Sequence, residues 1–297
     1  MDTLELYYKD NQIINKEFKE IKKFINSNKA KYICADPFAH IIIDNFFDDN
    51  FLNRILNEFP DLAVQRKTKN YSNLNEVKFG NNEYNDFPKN IKFLFNFLNS
   101  EFFLNFLQKI TSIKEKLIAD PELNGGGLHQ IKNGGLLKIH SDFNRHPTLE
   151  LDRRLNVLIY LNKNWDDDYG GHLEFWDKDM QFCKKKISPI FNRMVIFSTT
   201  DFSNHGHPDP LKCPESISRK SIATYYFSDG RPVHEINRMF SKNTTYFKDR
   251  AGIKNETYHR DGKLKRFLRS FNFYKGLKNI EKKFLRTGKS KNKRDIK

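Results

Sequence analysis

The chain is short of cysteine, glycine, proline and long apolar runs. Cys34, Cys183 and Cys213 are odd in number, widely spaced and form no CxxC pair, which excludes a disulfide framework or a zinc ribbon and fits a reducing cytoplasm. No stretch of some 18 apolar residues occurs, and the opening MDTLELYYKDNQIINKEF lacks a basic segment followed by an apolar one. Neither secretion nor a transmembrane segment is expected, and the localisation reads as cytoplasmic. Only 14 Gly and 10 Pro in 297 residues, against 28 Phe, exclude a low-complexity chain and indicate a folded core.

Charge of one sign is scarce outside the tail. The formal net charge is +15, but Lys263–Lys297 carries 14 Lys or Arg against Glu281 and Asp295, leaving 38 bases and 35 acids in the rest. A nearly neutral body without a nucleic-acid reader motif leads us to expect no nucleic-acid partner. The tail, with Leu264, Phe267, Leu268, Phe271, Leu277, Ile280 and Phe284 near helical spacing, predicts basic amphipathic helices. These would either dock on the body or meet an anionic surface or acidic partner.

Helical spacing covers residues 13–28, with Ser27 and Asn28 as a stop. Residues 31–47 read as a strand interrupted by Pro37. A helix capped by Asp48 or Asp49 then ends before Pro60, and an aromatic helix pair follows across FPKNIKFLFNFLNSEFFLNFLQKIT. From about Leu123 the pattern changes to short apolar runs separated by turns: GLHQI, LLKIH, RLNVLIYLN, GHLEFWD, KKKISPIF, NRMVIFS and SIATYYFS. Such spacing predicts a two-sheet jelly roll. The fold class is therefore mainly β with flanking helices: a jelly-roll core over residues 120–230, helical support in 1–119 and a basic helical extension in 231–297.

The stretch LLKIHSDFNRH places His140 and Asp142 two residues apart, so in a strand both face one side. Alone, an H-x-D is as well explained as an ordinary strand end. A second imidazole would complete a facial triad suited to ferrous iron, and STTDFSNHGHPDP offers His205 and His207 after an apolar strand. Downstream, RKSIATYYF sets Arg219 before the last strand, where a guanidinium can grip a carboxylate through two parallel hydrogen bonds. Ser221 shares its face, and Tyr160 can add a phenol. Lys220 points the other way by strand alternation.

The order His140, Asp142, Tyr160, His205, Arg219, with RRLNVLIYLNKNWDDDYGGHLEFW, FNRMVIFSTTDFSNHG and RKSIATYYF around it, resembles the iron(II)/2-oxoglutarate-dependent dioxygenases, most closely their prolyl 4-hydroxylase-like branch. That resemblance implies a double-stranded β-helix in which His140, Asp142 and His205 ligate Fe(II) and carry catalysis. It also implies that Arg219 and Tyr160, with Ser221 beside them, bind 2-oxoglutarate, with O2 as co-reactant and ascorbate as an optional cofactor. The implied reaction hydroxylates a C–H bond of a peptide or small-molecule substrate, a prolyl residue being the first candidate. Alternatives are a jelly-roll metal-binding protein without oxygenase activity, or the same chemistry on a glycan, small molecule or nucleic acid. Alignment on F-S-x-H-G selects His205 over His207, which is expected at the pocket rim. His129, His146 and His172 lack a ligand set and are expected to be satisfied or solvent-facing, although Asn144 and His146 follow the H-x-D closely enough to reach substrate. The branch often has a tyrosine where this chain has Gln130.

Overall fold

The computed structural model describes residues 12–18, 20–235 and 244–253; the described residues up to Gly252 form one compact unit. The predicted amphipathic helices of the basic tail lie outside the described residues. No helix among the described residues is long and apolar enough to cross a membrane.

The first helix, α1, spans Ile21–Ile33 rather than residues 13–28. Asn28 does not stop it, because its amide donates back to the Phe24 carbonyl at 2.8 Å. The buried Ile25 and Tyr32 share a face one step beyond the expected end. Strand β1 is consequently confined to His40–Asp44, after a cis Asp36–Pro37 bond. Helix α2, Asp49–Glu58, is capped by Asp48, whose carboxylate accepts the Phe51 N–H at 3.0 Å. The aromatic pair forms as predicted: α3, Lys89–Leu98, and α4, Glu101–Thr111, hinge at Ser100, whose hydroxyl accepts from Phe103 N–H.

The strands β2 (Lys69–Ser72), β3 (Glu76–Asn81), β4 (Ile118–Ala119), β5 (Gly127–Ile131), β6 (Leu136–Ser141), β7 (Asp152–Tyr160), β8 (Leu173–Trp176), β9 (Cys183–Ile187), β10 (Arg193–Ser198), β11 (Asn204–His207), β12 (Arg219–Ser228) and β13 (Tyr246–Phe247) join β1 in one antiparallel sheet. Its backbone order is β1-β10-β7-β12-β5-β3-β6-β11-β8-β9. The seven apolar runs each contain a strand. The β2–β3 hairpin and β11 are additions, because KNYS and NHGH have no apolar alternation to betray them. The sheet curls into a jelly-roll core, since side chains of β5, β6, β7, β11 and β12 line a single cavity.

Alternation in the two longest strands decides what lies on each side. Leu155, Val157 and Ile159 of β7, with Ile222 and Tyr226 of β12, pack on the helices in a core where Phe46, Phe47, Phe51, Phe97, Phe103 and Phe106 are all buried. Tyr226 keeps its hydroxyl satisfied by donating to the Leu98 carbonyl at 2.8 Å. The opposite face presents Asn156, Leu158, Arg219, Ser221 and Tyr225 to the cavity. Near the start of β7 the register slips, Leu155 facing Tyr226 while Arg153 faces Phe227. Arg154 is the extra residue of that bulge. It is buried and pairs with Glu115 at 2.7 Å.

Candidate metal and dicarboxylate site

Strands β6 and β11 run antiparallel with His205 directly opposite His140. Cross-strand partners stand about 5 Å apart at Cβ, so this register alone brings the two imidazoles together; their ring centroids are 4.5 Å apart. Asp142, just beyond β6 and two residues after His140, turns to the same side. His140 Nε2 lies 3.5 Å from Asp142 Oδ1, and His205 Nε2 lies 3.4 Å from Oδ2. Among the described residues these three form a group with potential ligand atoms within 4.8 Å of one another.

Both histidines are prepared as ligands. Each Nδ1 is held by a backbone carbonyl two residues earlier, His140 to Lys138 at 2.8 Å and His205 to Ser203 at 2.9 Å. Donation to those carbonyls fixes the hydrogen on Nδ1 and leaves the Nε2 lone pair facing Asp142. Burial outweighs the neighbouring Asp142 carboxylate and lowers the His205 pKa to about 4, so its ring is neutral at pH 7. Burial alone would raise the Asp142 pKa, but the Arg153 guanidinium leads the opposing influences, and the carboxyl is held well below its ordinary range. Ligands at adjacent positions of a first-row cation, with bonds of roughly 2.1 Å, stand about 3 Å apart. The two histidine–Asp142 separations are close to that spacing.

Two residues that sequence reasoning passed over support the carboxylate. Arg153, fully buried, donates to Asp142 Oδ2 at 3.0 Å, and Asn156 donates to the same oxygen at 2.7 Å. The Arg153 guanidinium also hydrogen-bonds Asn156 and lies over the Tyr225 and Phe143 rings, 3.4 and 4.4 Å from their centroids. Both donors act on Oδ2, which leaves Oδ1 toward the His140 side for a cation. Their signal in the sequence was faint: adjacent arginines in RRLN gave no means of telling which would turn inward.

Arg219 opens β12 inside the same cavity and is 4% exposed. Its Nε donates to the Gly171 carbonyl at 2.8 Å, and one terminal nitrogen donates to the Tyr160 hydroxyl at 3.2 Å. Gly171 is needed there: with φ at +71°, its carbonyl anchors the guanidinium, and a Cβ would approach Leu211 to 2.6 Å. No carboxylate among the described residues lies within ion-pair distance of Arg219. A buried cation in that state calls for an anion. Ser221 faces the cavity beside it, whereas Lys220 is outside the cavity lining, as alternation predicted. Gln130 points away from the site, accepting from Leu62 N–H and donating to Ser218.

Of the histidine expectations, the one for His207 changes. His207 is not in a rim loop: it belongs to β11, is buried and lines the cavity. His129 also lines it. His146 is satisfied, its Nδ1 accepting from Leu149 N–H at 3.0 Å, and Asn144 is tied to Asp201, so both are committed to buried contacts. His172 rests on Asp167 at 3.1 Å.

The cavity measures about 90 Å³, room for a small polar molecule beside the ligands rather than for a peptide, which would have to approach from the mouth. Imidazoles and a carboxylate at one end and an unpaired guanidinium at the other form a donor set that fits an Fe(II)-type cation together with a small dicarboxylate.

Comparison with known proteins agrees with this geometry. Residues 126–227 match the model of the 2OG-Fe(II) oxygenase superfamily. Prolyl 3-hydroxylase OGFOD1 of Mus musculus is 28% identical over 207 residues, which are 68% of this chain and 35% of the relative. The chain thus matches about a third of that relative's length. Two solved structures share the fold. The prolyl hydroxylase of Trichoplax adhaerens in complex with a hypoxia inducible factor oxygen degradation domain peptide fragment superposes with a TM-score of 0.51 at 18% identity, covering 71% of this chain and 92% of that one. The prolyl-4-hydroxylase of Pseudomonas putida gives 0.52 at 10% identity, covering 69% and 100%. The stretch that builds the cavity, residues 126–227, thus matches the 2OG-Fe(II) oxygenase superfamily and shares its fold with the two prolyl hydroxylases.

Proposed function

We propose that the protein is an Fe(II)- and 2-oxoglutarate-dependent dioxygenase that hydroxylates a prolyl residue in a peptide. The observation that carries this reading is the convergence of His140, Asp142 and His205 in one cavity with a buried, carboxylate-free Arg219. The similarity to a prolyl 3-hydroxylase supports the substrate class. When bound, Fe(II) with 2-oxoglutarate and O2 supplies the oxidising power to convert C–H to C–OH with release of succinate and CO2; ascorbate would serve to keep the iron reduced.

In this reading His140 and His205 offer neutral Nε2 donors and Asp142 a charged oxygen, oriented by Arg153 and Asn156. Arg219 and Tyr160 take the distal carboxylate of 2-oxoglutarate, with Ser221 as an additional donor. Burial raises the Tyr160 phenol pKa despite the neighbouring Arg219, so the hydroxyl accepts from the guanidinium and still keeps a proton to donate. Leu137, Leu158 and Leu173 supply the apolar part of the cavity wall and limit water.

Residues 120–230 act as the catalytic domain. Residues 1–119 support it, since β1 extends its sheet at one edge and β3 lies between β5 and β6, and 231–297 form an extension. The net +12 of the tail favours an anionic surface or acidic partner for it, and three free cysteines favour the cytoplasm. A metal-binding protein without oxygenase activity is disfavoured, because metal storage needs no unpaired guanidinium in the same cavity.

The test is anaerobic addition of Fe(II) and 2-oxoglutarate, followed by admission of O2. A visible charge-transfer band, then succinate and a +16 Da product on proline-containing peptides, is the expected outcome. Absence of both band and succinate in metal-loaded protein overturns the reading.

A further inference from the structure

His207 is built unlike the other cavity histidines. Its ring is 3% exposed, yet neither Nδ1 nor Nε2 has a hydrogen-bond partner. His140 and His205, by contrast, each have Nδ1 tied to a backbone carbonyl. An imidazole buried with both nitrogens unpaired is costly, and native structures rarely keep one without a reason.

The backbone puts it there deliberately. Gly206 lies so close to β6 that a Cβ would sit 2.7 Å from the Leu137 carbonyl oxygen and 2.8 Å from that of Lys138. The register then shifts between His205, opposite His140, and His207, opposite Leu137. His205 and His207, two residues apart on β11, both face the cavity, and the extra residue of the shift lies on β6. His207 is nevertheless outside the group whose ligand atoms converge within 4.8 Å, so it is not placed as a fourth metal ligand.

The polar company it keeps has one character. Arg219, His129, Ser221 and Lys78 line the same cavity, and Lys78 is already paired with Glu76 at 3.2 Å. Away from Asp142 these lining groups are cationic or can donate, which suits an anion with several acceptor lone pairs.

We infer that His207 is a further binding residue for the dicarboxylate, its ring N–H donating to the distal carboxylate that Arg219 and Tyr160 hold. This rests on the 2-oxoglutarate reading above and adds to it a residue that sets selectivity for a second carboxylate. The N–H sits on a rigid strand, so the ring pays little to be ordered, and it discriminates against any 2-oxoacid ending in a methyl group.

The experiment uses the full chain loaded with Zn(II), which permits binding without turnover, and measures affinity by calorimetry for 2-oxoglutarate and for 2-oxopentanoate, in which a methyl replaces the distal carboxylate. His207→Leu is expected to weaken 2-oxoglutarate by about tenfold, the usual worth of one hydrogen bond to a charged group. It should leave 2-oxopentanoate within about twofold, since that ligand never made the contact. His207→Gln, which keeps an N–H donor and serves if the leucine variant does not fold, should recover part of the loss. In the wild type, ring 15N resonances of His207 should shift on adding 2-oxoglutarate but not 2-oxopentanoate.

Equal 2-oxoglutarate affinity in wild type and both variants overturns the inference while leaving the site reading intact. Equal weakening of both ligands also overturns it, by showing that His207 only shapes the cavity. A Zn(II)-loaded wild type that binds neither 2-oxoacid overturns the 2-oxoglutarate reading itself.

Discussion

The two faces of strands β7 and β12 are both buried, and they are completed in opposite ways. On the helix side Leu155, Val157, Ile159, Ile222 and Tyr226 meet a phenylalanine layer that closes on itself. Edge and tilted ring contacts such as Phe97 with Phe103, 5.4 Å apart, and a Tyr226 hydroxyl bonded to Leu98 leave little unsatisfied. On the cavity side, among the described residues, Arg219 has no carboxylate partner, His140 and His205 turn Nε2 toward Asp142, and neither ring nitrogen of His207 is hydrogen-bonded. One face is an interior; the other is an interior only when something else is bound. Apolar surface gains by leaving water whatever its neighbours, whereas a buried charge must be given its counterpart.

Four substitutions or conditions would break or sharpen that contrast. The largest effect is expected from Asp142→Asn, which preserves shape but removes the charge. Metal affinity and succinate formation should fall by more than the roughly 100-fold that loss of an outer support can cost, read by metal titration and by a succinate assay. Phe97→Ala, on the closed face, should lower stability by about 3–5 kcal/mol in urea denaturation while folded protein keeps its metal affinity. A comparable loss of metal affinity would mean that the two faces are not independent.

Arg219→Met should behave in the reverse sense. Affinity for 2-oxoglutarate is expected to drop about 100-fold, the worth of a charged, bidentate contact, while the metal-free protein melts at the same or a higher temperature, because an unpaired buried cation has been removed. Last, the metal-free protein should lose stability on mild acidification. Burial, reinforced by Lys78 and Arg219, lowers the His129 pKa to about 3, and burial against the opposing Asp142 carboxylate lowers that of His205 to about 4, both below the value of about 6.5 for an unfolded chain. Between those limits the unfolded chain binds more protons, so stability rises with pH and is lost as pH falls from about 6.5 toward 4. Thermal melts across that range test it, and a flat profile would show that the rings protonate without unfolding.

Much of the frame was legible. The seven apolar runs mark strands because alternation is a local consequence of one face being buried, and the Phe-rich pair α3 and α4 is equally local. The end of α1 was misjudged because Asn28 has two options, ending the helix or bonding back to Phe24, and only Tyr32 docking near Ser198, with its hydroxyl 2.7 Å from the serine oxygen, selects the second. Strand β11 escaped notice because NHGH carries function in place of a hydrophobic pattern. Arg153 and Arg154 could not be told apart, since a bulge reverses the alternation on which such a choice depends.

What the sequence determined by itself is the set of residue types, their order and their strand parity. His140 with Asp142, and Arg219 with Ser221, share a side because a strand repeats every two residues. What only the tertiary structure decided is which parities meet. His140 faces His205 through the β6–β11 register, β11 lies close against β6 at Gly206, and Arg153 rather than Arg154 reaches Asp142 because of one extra residue in β7. Parity is fixed by the covalent geometry of each strand, but register is fixed by packing between strands distant in sequence, and no single segment contains that information.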